Sequence, residues 1–443
     1  MAQILRPAGE ADIATHPTGM RAVLRLFAEK DSDLRITEEV SSAVLTRAPS
    51  EVEATRSTSL PKGSPSVHLD ALRGLAAFSV LLAHWRDAFF VDYPMVPRHN
   101  PLVSIAYVVT GMGHQWVIVF FVMSGYLVGG SVLRSVKSGR WSWRGYMLTR
   151  LTRLYIVLLP ALLVGGAIDW AGMHLRGAHA LYSGQSGMHA LSVNVYSTLT
   201  WPILLGNSLF LQTIALPGMG GREFPIFGSN GPLWSLSNEF WYYIAFPLLV
   251  LLVAKGWSWW TRAVYSVAIL AWGWFVGATI ASLGIAWLMG VIITVLPPFP
   301  ASRSWTRGLA MFFAMAVVLC GLAFGKAHDY LPANLMLGSA VTFLIWVTLY
   351  CATAPLPVLY VRVAQRAARS SYTLYLVHLP MLIFLKAFFH LPRTIPNWHN
   401  CLIATVVLVG ILIYAQIVYE FFEKNTDRVR DWIKPYVMGR RRA

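Results

Sequence analysis

The sequence predicts an all-α fold: a polytopic membrane protein built as a bundle of about ten transmembrane helices, with one re-entrant or interfacial segment. Three observations carry this prediction. Of the 443 residues, 56% are hydrophobic and only 13% are charged. Apolar runs of about 18 to 24 residues, long enough to cross a bilayer, recur from Leu69 to Phe422. No internal repeat stands in register, which disfavours the transporter folds built from inverted repeats.

The two ends of the chain differ from its middle. Residues 1–67 mix acidic and basic side chains with many Ser, Thr and Pro residues, and they predict a disordered cytosolic N-terminal extension. Within it, residues 18–30 have the pattern of a short amphipathic helix on the membrane surface. Residues 68–424 form the predicted transmembrane domain, and residues 425–443 form a basic cytosolic tail. No cleavable signal is expected, because the first run of spanning length begins at Leu69.

Each predicted span is an apolar run bounded by charged or loop-forming residues. In chain order, the predicted spans are 69–91, 115–133, 151–170, 232–254, 263–281, 283–296, 308–325, 335–354, 372–389 and 401–422. The sixth is short. A further apolar stretch, 199–211, contains Pro202, Gly206 and Asn207 and is too short to cross, so it is the predicted re-entrant or interfacial segment.

The net charge of +16 is distributed as in a membrane protein rather than as in a nucleic-acid-binding protein. Residues 1–67 hold 8 Lys and Arg against 9 Asp and Glu, so the positive excess lies beyond them. With the N-terminus inside, the cytosolic loops and tail hold 20 Lys and Arg, and the outer loops hold 5. This positive-inside pattern predicts a protein of the cytoplasmic (inner) membrane with both termini in the cytosol. The lipid bilayer is the expected partner, and no nucleic acid is expected.

The first predicted span carries three ionisable side chains, those of Asp70, Arg73 and His84. A charge inside the bilayer costs a few kcal/mol or more unless it is paired or faces water, so such residues mark candidate sites. At about 100° per residue, Arg73 and His84 return to nearly the same face of the helix, with Asp70 about 40° away. The three residues therefore form one stripe. The alternative for His84 is a packing histidine that bonds a backbone carbonyl.

Two more polar residues are expected near the depth of His84. Glu239 lies about 10 Å below the outer surface in the fourth span, and Ser124 lies about 13 Å below it in the second. His84 lies about 16 Å above Arg73 in a hydrocarbon core of about 30 Å, so the three polar groups converge near mid-membrane. The structural alternatives are an ion-pair partner for Glu239 and, because a glycine follows it, a helix-packing contact for Ser124.

Arg150 and Arg153 lie three residues apart on one face at the cytosolic start of the third span. Two guanidinium groups so placed suit a phosphate, and they suit anchoring to anionic headgroups equally well. His378 in the ninth span lies about 10 Å above the inner surface, where the sequence is compatible with a core histidine or a functional one. No metal site is predicted. The outer histidines, spaced by five and ten residues without a flanking carboxylate, are His174, His179 and His189.

Five segments in this order resemble the acyltransferase family 3 integral membrane proteins. They are LDALRGLAAFSVLLAHW with Arg73 and His84, VFFVMSGYL with Ser124, RLTR with Arg150 and Arg153, GPLWSLSNEFWYY with Glu239, and SYTLYLVH with His378. The resemblance covers residues 69–422. It implies a bundle of about ten helices that moves an acyl group, expected to be acetyl, from cytosolic acyl-CoA to a hydroxyl of a sugar.

The resemblance also implies roles for particular residues. His84 is the implied catalytic histidine, Arg73 is its partner in the motif, and Arg150 with Arg153 form the implied donor-binding pair. Acyl-CoA is then a co-substrate, no bound cofactor is expected, and the acceptor is a sugar or a lipid-linked or exported glycan. A neutral imidazole suits a general base, and Glu239 is the carboxylate expected to orient it and to stabilise its imidazolium.

Several alternatives stay open at this point. An acyl-histidine intermediate is compatible with the same residues. A proton-coupled transporter would use the buried charges as a relay of Asp70, Arg73, His84 and Glu239. The transporter does not explain the cytosolic arginine pair, and it predicts proton-coupled flux without acyl-CoA. An inactive scaffold for polysaccharide export is the third possibility. Beyond the residues with implied roles, the further site candidates are Asp70, Ser124 and His378.

Overall fold

The computed structural model describes residues 65–97, 100–216, 219–301, 303–328 and 330–438. The predicted extension at 1–67 and its amphipathic helix lie outside the described residues, apart from three residues of a helix that begins at Pro65. Across the described ranges the chain forms helices and loops, with two isolated β-bridges and no sheet. The predicted all-α class is confirmed.

The helices are numbered in chain order. They are α1 Pro65–Phe89, α2 Pro101–Val109, α3 Gly113–Ser124, α4 Gly130–Lys137, α5 Trp143–Met173, α6 His179–Tyr182, α7 Val195–Thr198, α8 Trp201–Ser208, α9 Leu233–Val253, α10 Trp259–Ile292, α11 Ser304–Ala327, α12 Leu331–Cys351, α13 Val358–Arg369, α14 Ser371–Phe388, α15 Trp398–Phe421 and α16 Thr426–Met438. The π-helical turn Gly125–Gly129 joins α3 to α4, and the 3₁₀ turn Glu423–Asn425 joins α15 to α16.

Nine helices in the described part of the chain are long and apolar enough to cross a membrane, if α3 with α4 and α15 with α16 are each taken as one. Their outward faces are apolar. Leu270 and Trp274 on α10, Phe312 on α11 and Val406 on α15 are all exposed at the surface of the bundle. Such a surface suits the hydrocarbon of a bilayer, and the chain is a polytopic membrane protein.

The predicted fifth and sixth spans belong to one helix, α10, which is broken at Gly277. The φ of Gly277 is +76° and its ψ is 175°, a conformation that only glycine adopts readily. Trp272, before the break, donates a hydrogen bond to the carbonyl of Trp241, and Ile280, after it, accepts one from the neighbouring Tyr242. Both arms therefore meet α9 at the same level, and the chain turns back at Gly277.

The backbones of α3 and α10 touch beside the π-helical turn. A Cβ on Gly125 would lie 1.8 Å from the carbonyl oxygen of Trp287, and a Cβ on Gly290 would lie 1.9 Å from that of Val122. Small residues permit this approach, as in many membrane helix pairs. Ser124 directly precedes the turn, so close packing and a polar contact are both available to it.

The helices that carry the two candidate histidines lie at the centre. α1 and α14 pack against each other, and α14 also packs on α5 and α1 on α3. Fully buried apolar residues fill the space between them, among them Leu81 on α1, Ile118 on α3, Leu158 on α5 and Leu379 on α14. The polar side chains of these helices are thereby held in a packed core.

The bundle has two chemically different ends. We name the end where α1, α5 and α14 begin the basic end, and there α13 crosses α1 so closely that a Cβ on Gly74 would lie 2.6 Å from that of Ala367. The opposite end, where α3 and α9 begin, is named the cavity end. An isolated β-bridge joins Phe90 and Thr394 at this end. Amphipathic α13 and α16 at the basic end, and α2 at the cavity end, were not predicted as helices.

The predicted re-entrant or interfacial segment contains α8, whose eight residues are too few to cross a bilayer. Its Asn207 is fully buried. The amide of Asn207 donates to the carbonyls of Ile203 and Pro225 and accepts from the N–H of Phe227. This segment thereby fixes the loop that leads into α9.

Candidate active site

His84 and His378 form a hydrogen-bonded pair across α1 and α14. Nδ1 of His84 lies 2.7 Å from Nε2 of His378, and the planes of the two rings differ by 16°. Nδ1 of His378 lies 2.9 Å from the carbonyl oxygen of Leu374. Because a carbonyl only accepts, that nitrogen carries a proton, and in a neutral ring Nε2 then accepts from Nδ1–H of His84. The free lone pair is left on Nε2 of His84.

His84 also lines a cavity of about 320 Å³ at the cavity end. The indole of Trp234 forms part of its wall and stacks on the imidazole of His114, with ring centroids 5.6 Å apart. Hydroxyl-bearing residues line the cavity as well, namely Ser192, Ser229 and Tyr375. Among the described residues that line it there is no Asp, Glu, Lys or Arg. The cavity therefore offers aromatic faces and hydroxyl groups beside imidazoles.

A buried carboxylate, that of Asp169 on α5, holds one wall of this cavity. Its two oxygens accept hydrogen bonds from the backbone N–H and the hydroxyl of Ser229, each at 2.7 Å. Gly228, with φ +59°, lets the loop pass so close that a Cβ there would lie 2.3 Å from the carboxylate. Asp169 is 1% exposed, so this anchor is shielded from solvent.

A second buried carboxylate, that of Asp87 at the end of α1, holds another lining residue of the cavity. It accepts a hydrogen bond from the N–H of Ala190 at 2.7 Å, and the guanidinium of Arg393 lies 3.6 Å away. Asp87 and Asp169 were not predicted as site residues, because acidic residues at the ends of apolar runs usually mark loop boundaries. The sequence did contain a signal for them. Only 11 acidic residues follow residue 67, so each acidic residue in that part of the chain is a candidate for a specific role.

Pro380 ties the same loop region to α14. Proline has no N–H, so the carbonyl of Leu376 one turn earlier lacks its usual helical donor. The side chain of Asn230 donates to that carbonyl at 2.9 Å. Nearby, Ser235 on α9 and Tyr375 on α14 share a hydrogen bond of 2.7 Å between their hydroxyls. The loop before α9 is therefore fastened to the helix that carries His378.

Ser124 and Glu239 do meet, as their predicted depths indicated. Ser124 Oγ donates to Glu239 Oε1 at 2.6 Å, Tyr243 donates to the same oxygen, and the indole N–H of Trp287 donates to Ser124 Oγ at 3.1 Å. The expected pairing of Glu239 with His84 is not found among the described residues. The ring nitrogen that Glu239 was expected to orient is bound by a histidine instead, so the predicted carboxylate partner was wrong.

Asp70 and Arg73 form an ion pair one turn apart on α1, with Nη2 and Oδ1 at 3.1 Å. The rise from Arg73 to His84 is about 16 Å, so the two residues lie toward opposite ends of α1 and share no contact. The predicted stripe therefore holds two separate sites. Arg73 interacts electrostatically with Glu423, which accepts hydrogen bonds from the backbone and hydroxyl of Thr373.

The two arginines of α5 diverge. Arg150 donates to Ser131 Oγ at 3.1 Å, and its guanidinium lies 5.9 Å from the ring centroid of Tyr243. Arg153 instead interacts electrostatically with Arg73 and Glu423. Arg150 therefore adjoins the cluster around Glu239, whereas Arg153 adjoins the ion pair at the start of α1. Both arginines belong to the basic end.

The structure gives the outer histidines separate partners. His174 bonds the carbonyl of Trp170 at 2.7 Å, and the ring of His179 lies 5.4 Å from that of Tyr196. His189 comes within 3.4 Å of Asp92, and with Asp87 these groups offer three metal-ligand atoms within 4.8 Å of one another. The guanidinium of Arg393 already lies 2.8 Å from Asp92 and 3.6 Å from Asp87. That cation supplies the charge a metal would bring.

Comparison with known proteins shows the family of this chain. Acyltransferase MdmB from Streptomyces mycarofaciens is 30% identical over 206 residues, which cover 46% of this chain and 44% of that relative. The alignment thus spans less than half of the curated relative. No solved structure matches this chain. The family model of the acyltransferase domain matches residues 67–420, which include both histidines, the cavity and the arginines of the basic end. The chain, a polytopic membrane protein, belongs to acyltransferase family 3.

Proposed function

We propose that this protein transfers an acyl group, acetyl in the simplest case, from cytosolic acyl-CoA to a hydroxyl of a sugar in an exported or cell-surface glycan. The observation that carries the proposal is the free Nε2 of His84, at the edge of a cavity without charged lining groups. The excess of Lys and Arg at the basic end supports a cytosolic position for that end and for both termini. The membrane is then the cytoplasmic (inner) membrane.

Acyl-CoA would bind at the basic end through its phosphates. Among the described residues, four guanidinium groups lie there, those of Arg73, Arg150, Arg153 and Arg369, and the carboxylates near them are Asp70, Glu239 and Glu423. Guanidinium groups bind phosphate through parallel hydrogen bonds. The excess of guanidinium groups over carboxylates at this end therefore suits a polyanion. The divergence of Arg150 and Arg153 supports a site that contacts the donor at two places rather than one bidentate clamp.

The sugar would bind in the cavity beside His84. Trp234 offers an apolar face to a pyranose ring, and the hydroxyl of Ser192 offers a hydrogen bond to one of its hydroxyl groups. The absence of charged groups among the described lining residues favours a neutral sugar over an acidic one. A lipid-linked or exported glycan would present such a sugar from the outer side.

The reaction follows from the tautomer of His84. Nε2 accepts the proton of the sugar hydroxyl while the oxygen attacks the thioester carbonyl carbon, which gives a tetrahedral intermediate. Its collapse breaks the C–S bond, and the departing CoA thiolate takes the proton from the imidazolium. The products are the O-acyl sugar and free CoA, and the imidazole is neutral again. A positioned base of this kind contributes about 10²- to 10⁴-fold to the rate.

Mass spectrometry of surface glycans tests the proposal. Cells that produce the His84→Ala variant should lose the acyl mass increment seen with the wild type, whereas cells with His174→Ala should keep it. His174 is a matched control, because it lies at the same end but outside the cavity. Unchanged glycan acylation with His84→Ala would refute the assignment.

Purified protein in detergent gives the second test. Titration with acyl-CoA should raise the melting temperature, and CoA should do so more weakly, because a ligand stabilises the state it binds. A transporter with the same buried charges would show no stabilisation by CoA thioesters at any concentration. That result would refute acyl-CoA as the donor.

A further inference from the structure

We infer that His378 is a positioning residue, which selects the tautomer of His84 and shares the charge that His84 gains during transfer. This inference rests on the proposed function. Its first basis is the fixed direction of the hydrogen bonds. The carbonyl of Leu374 belongs to α14 itself, so His378 cannot turn its protonated nitrogen toward His84 without breaking a bond within its own helix.

Burial makes this arrangement rigid. His378 is 0% exposed and sits in a helix whose neighbouring residues Val377 and Leu379 are buried as well. Rotation of the ring would leave two nitrogens without partners in a dry core, which costs about 1–3 kcal/mol for each of them. Neutral His378 therefore always presents an acceptor to His84. Without that acceptor, His84 would populate the other tautomer, in which Nε2 carries the proton and cannot act as a base.

The pair also distributes the positive charge. When His84 Nε2 takes the sugar proton, the proton on Nδ1 can pass 2.7 Å to His378 Nε2, which makes His378 the imidazolium and His84 neutral. The carbonyl of Leu374 faces the other N–H of that imidazolium. The charge is then spread over two rings and one carbonyl dipole. Hydrogen bonding to a charged group is roughly twice as strong as to a neutral one, so this arrangement stabilises the state that forms in the reaction.

Among the residues that the structure describes, no charged side chain forms a hydrogen bond with either histidine. Glu239, the carboxylate expected beside His84, is bound by Ser124 and Tyr243. Tyr375 is the titratable neighbour on α14, with its ring centroid 6.3 Å from that of His378, and its hydroxyl is engaged by Ser235. A neutral partner suits a base that must stay unprotonated between turnovers, because a carboxylate would favour the imidazolium permanently.

Two amide variants test the role of the acceptor. In His378→Gln, the amide oxygen can reach the position of Nε2 and accept from His84. In His378→Asn, the shorter side chain reaches only the position of Nδ1, near the carbonyl of Leu374. We expect Asn to lower kcat by about 100-fold or more and Gln to lower it by less than about 10-fold. KM for acyl-CoA and for the acceptor should change in neither variant.

The double variant His84→Ala/His378→Asn separates positioning from a general loss of structure. Because His378 acts through His84, the double variant should be no slower than His84→Ala alone. A further loss in the double variant, equal kcat for the Gln and Asn variants, or wild-type kcat for Asn would each overturn the inference. If His84→Ala itself is fully active, the proposed function fails instead, so the two failures are distinguishable.

Discussion

Replacement of Asp169 by alanine tests how the cavity wall is held. Asp169 contacts neither the histidines nor the arginines of the basic end in any hydrogen bond of the described residues. Both of its oxygens are engaged by Ser229, whose side chain lines the cavity. The Asp169→Ala variant therefore removes an anchor and leaves His84 and its partner unchanged.

The expected size of the effect follows from the two lost bonds. A hydrogen bond to a charged group contributes about 1.5–3 kcal/mol, so two of them contribute about 3–6 kcal/mol to holding the loop against α5. Relaxation of the loop and entry of water favour the lower end of that range. A loss of about 3 kcal/mol changes the ratio of anchored to released loop by about 100-fold. If the acceptor binds only when the wall is anchored, its affinity falls in proportion to the fraction of molecules with an anchored loop.

Steady-state kinetics with saturating acyl-CoA measure this effect. We expect Asp169→Ala to raise the KM for the acceptor by at least about tenfold, with kcat within a few-fold of the wild type and a lower melting temperature. Asp169→Asn is the matched control. Its amide can accept from the N–H of Ser229 and donate to the hydroxyl, so only about 1–2 kcal/mol of charge assistance is lost. An Asp169→Ala variant with the wild-type acceptor KM would refute the anchoring role.

Three further substitutions test other parts of the structure. Gly277→Ala should destabilise the protein by about 1–2 kcal/mol, because φ is +76° there. Gly273→Ala in the same helix should be neutral or stabilising, and thermal unfolding of the two variants measures the difference. Glu239→Gln should lower the melting temperature by weakening two charge-assisted bonds, and the exposed Glu420→Gln should not. Asn230→Ala should cost about 1–3 kcal/mol, since it leaves the carbonyl freed by a proline without a donor, and equal stability would exclude that role.

The spans and the depths of their polar residues were predicted well from the sequence, because both depend only on position along the chain. Hydropathy over about 20 residues reports membrane crossing, and a rise of 1.5 Å per residue places Ser124 and Glu239 at similar depths. Their hydrogen bond bears this out. The break in α10 was predicted at residue 282, between two apolar runs, whereas the structure has it at Gly277, because the sequence does not report a positive φ.

The partner of His84 could not be predicted from depth alone. Depth states how far a residue lies inside the bilayer, and it does not state which helices are neighbours. α1 and α14 are adjacent although His84 and His378 are 294 residues apart. Asp169 was missed for a related reason: its partners are the backbone N–H and the hydroxyl of Ser229, and neither is a charged group that could be recognised in the sequence.

The arginines of the basic end and the uncharged cavity beside His84 lie at opposite ends of the bundle. One experiment can test both sites together. If phosphates bind at the basic end and the thioester reacts beside His84, Arg150→Ala should lower kcat/KM for acyl-CoA by about 10- to 100-fold, the value of one charge-assisted bond. The same variant should leave kcat/KM unchanged for acyl-pantetheine, which lacks the nucleotide phosphates. His84→Ala should lower kcat/KM equally for both donors, and Arg144→Ala, an exposed arginine at the start of α5, should affect neither. Equal loss for both donors with Arg150→Ala would show that Arg150 supports the structure rather than the donor phosphates.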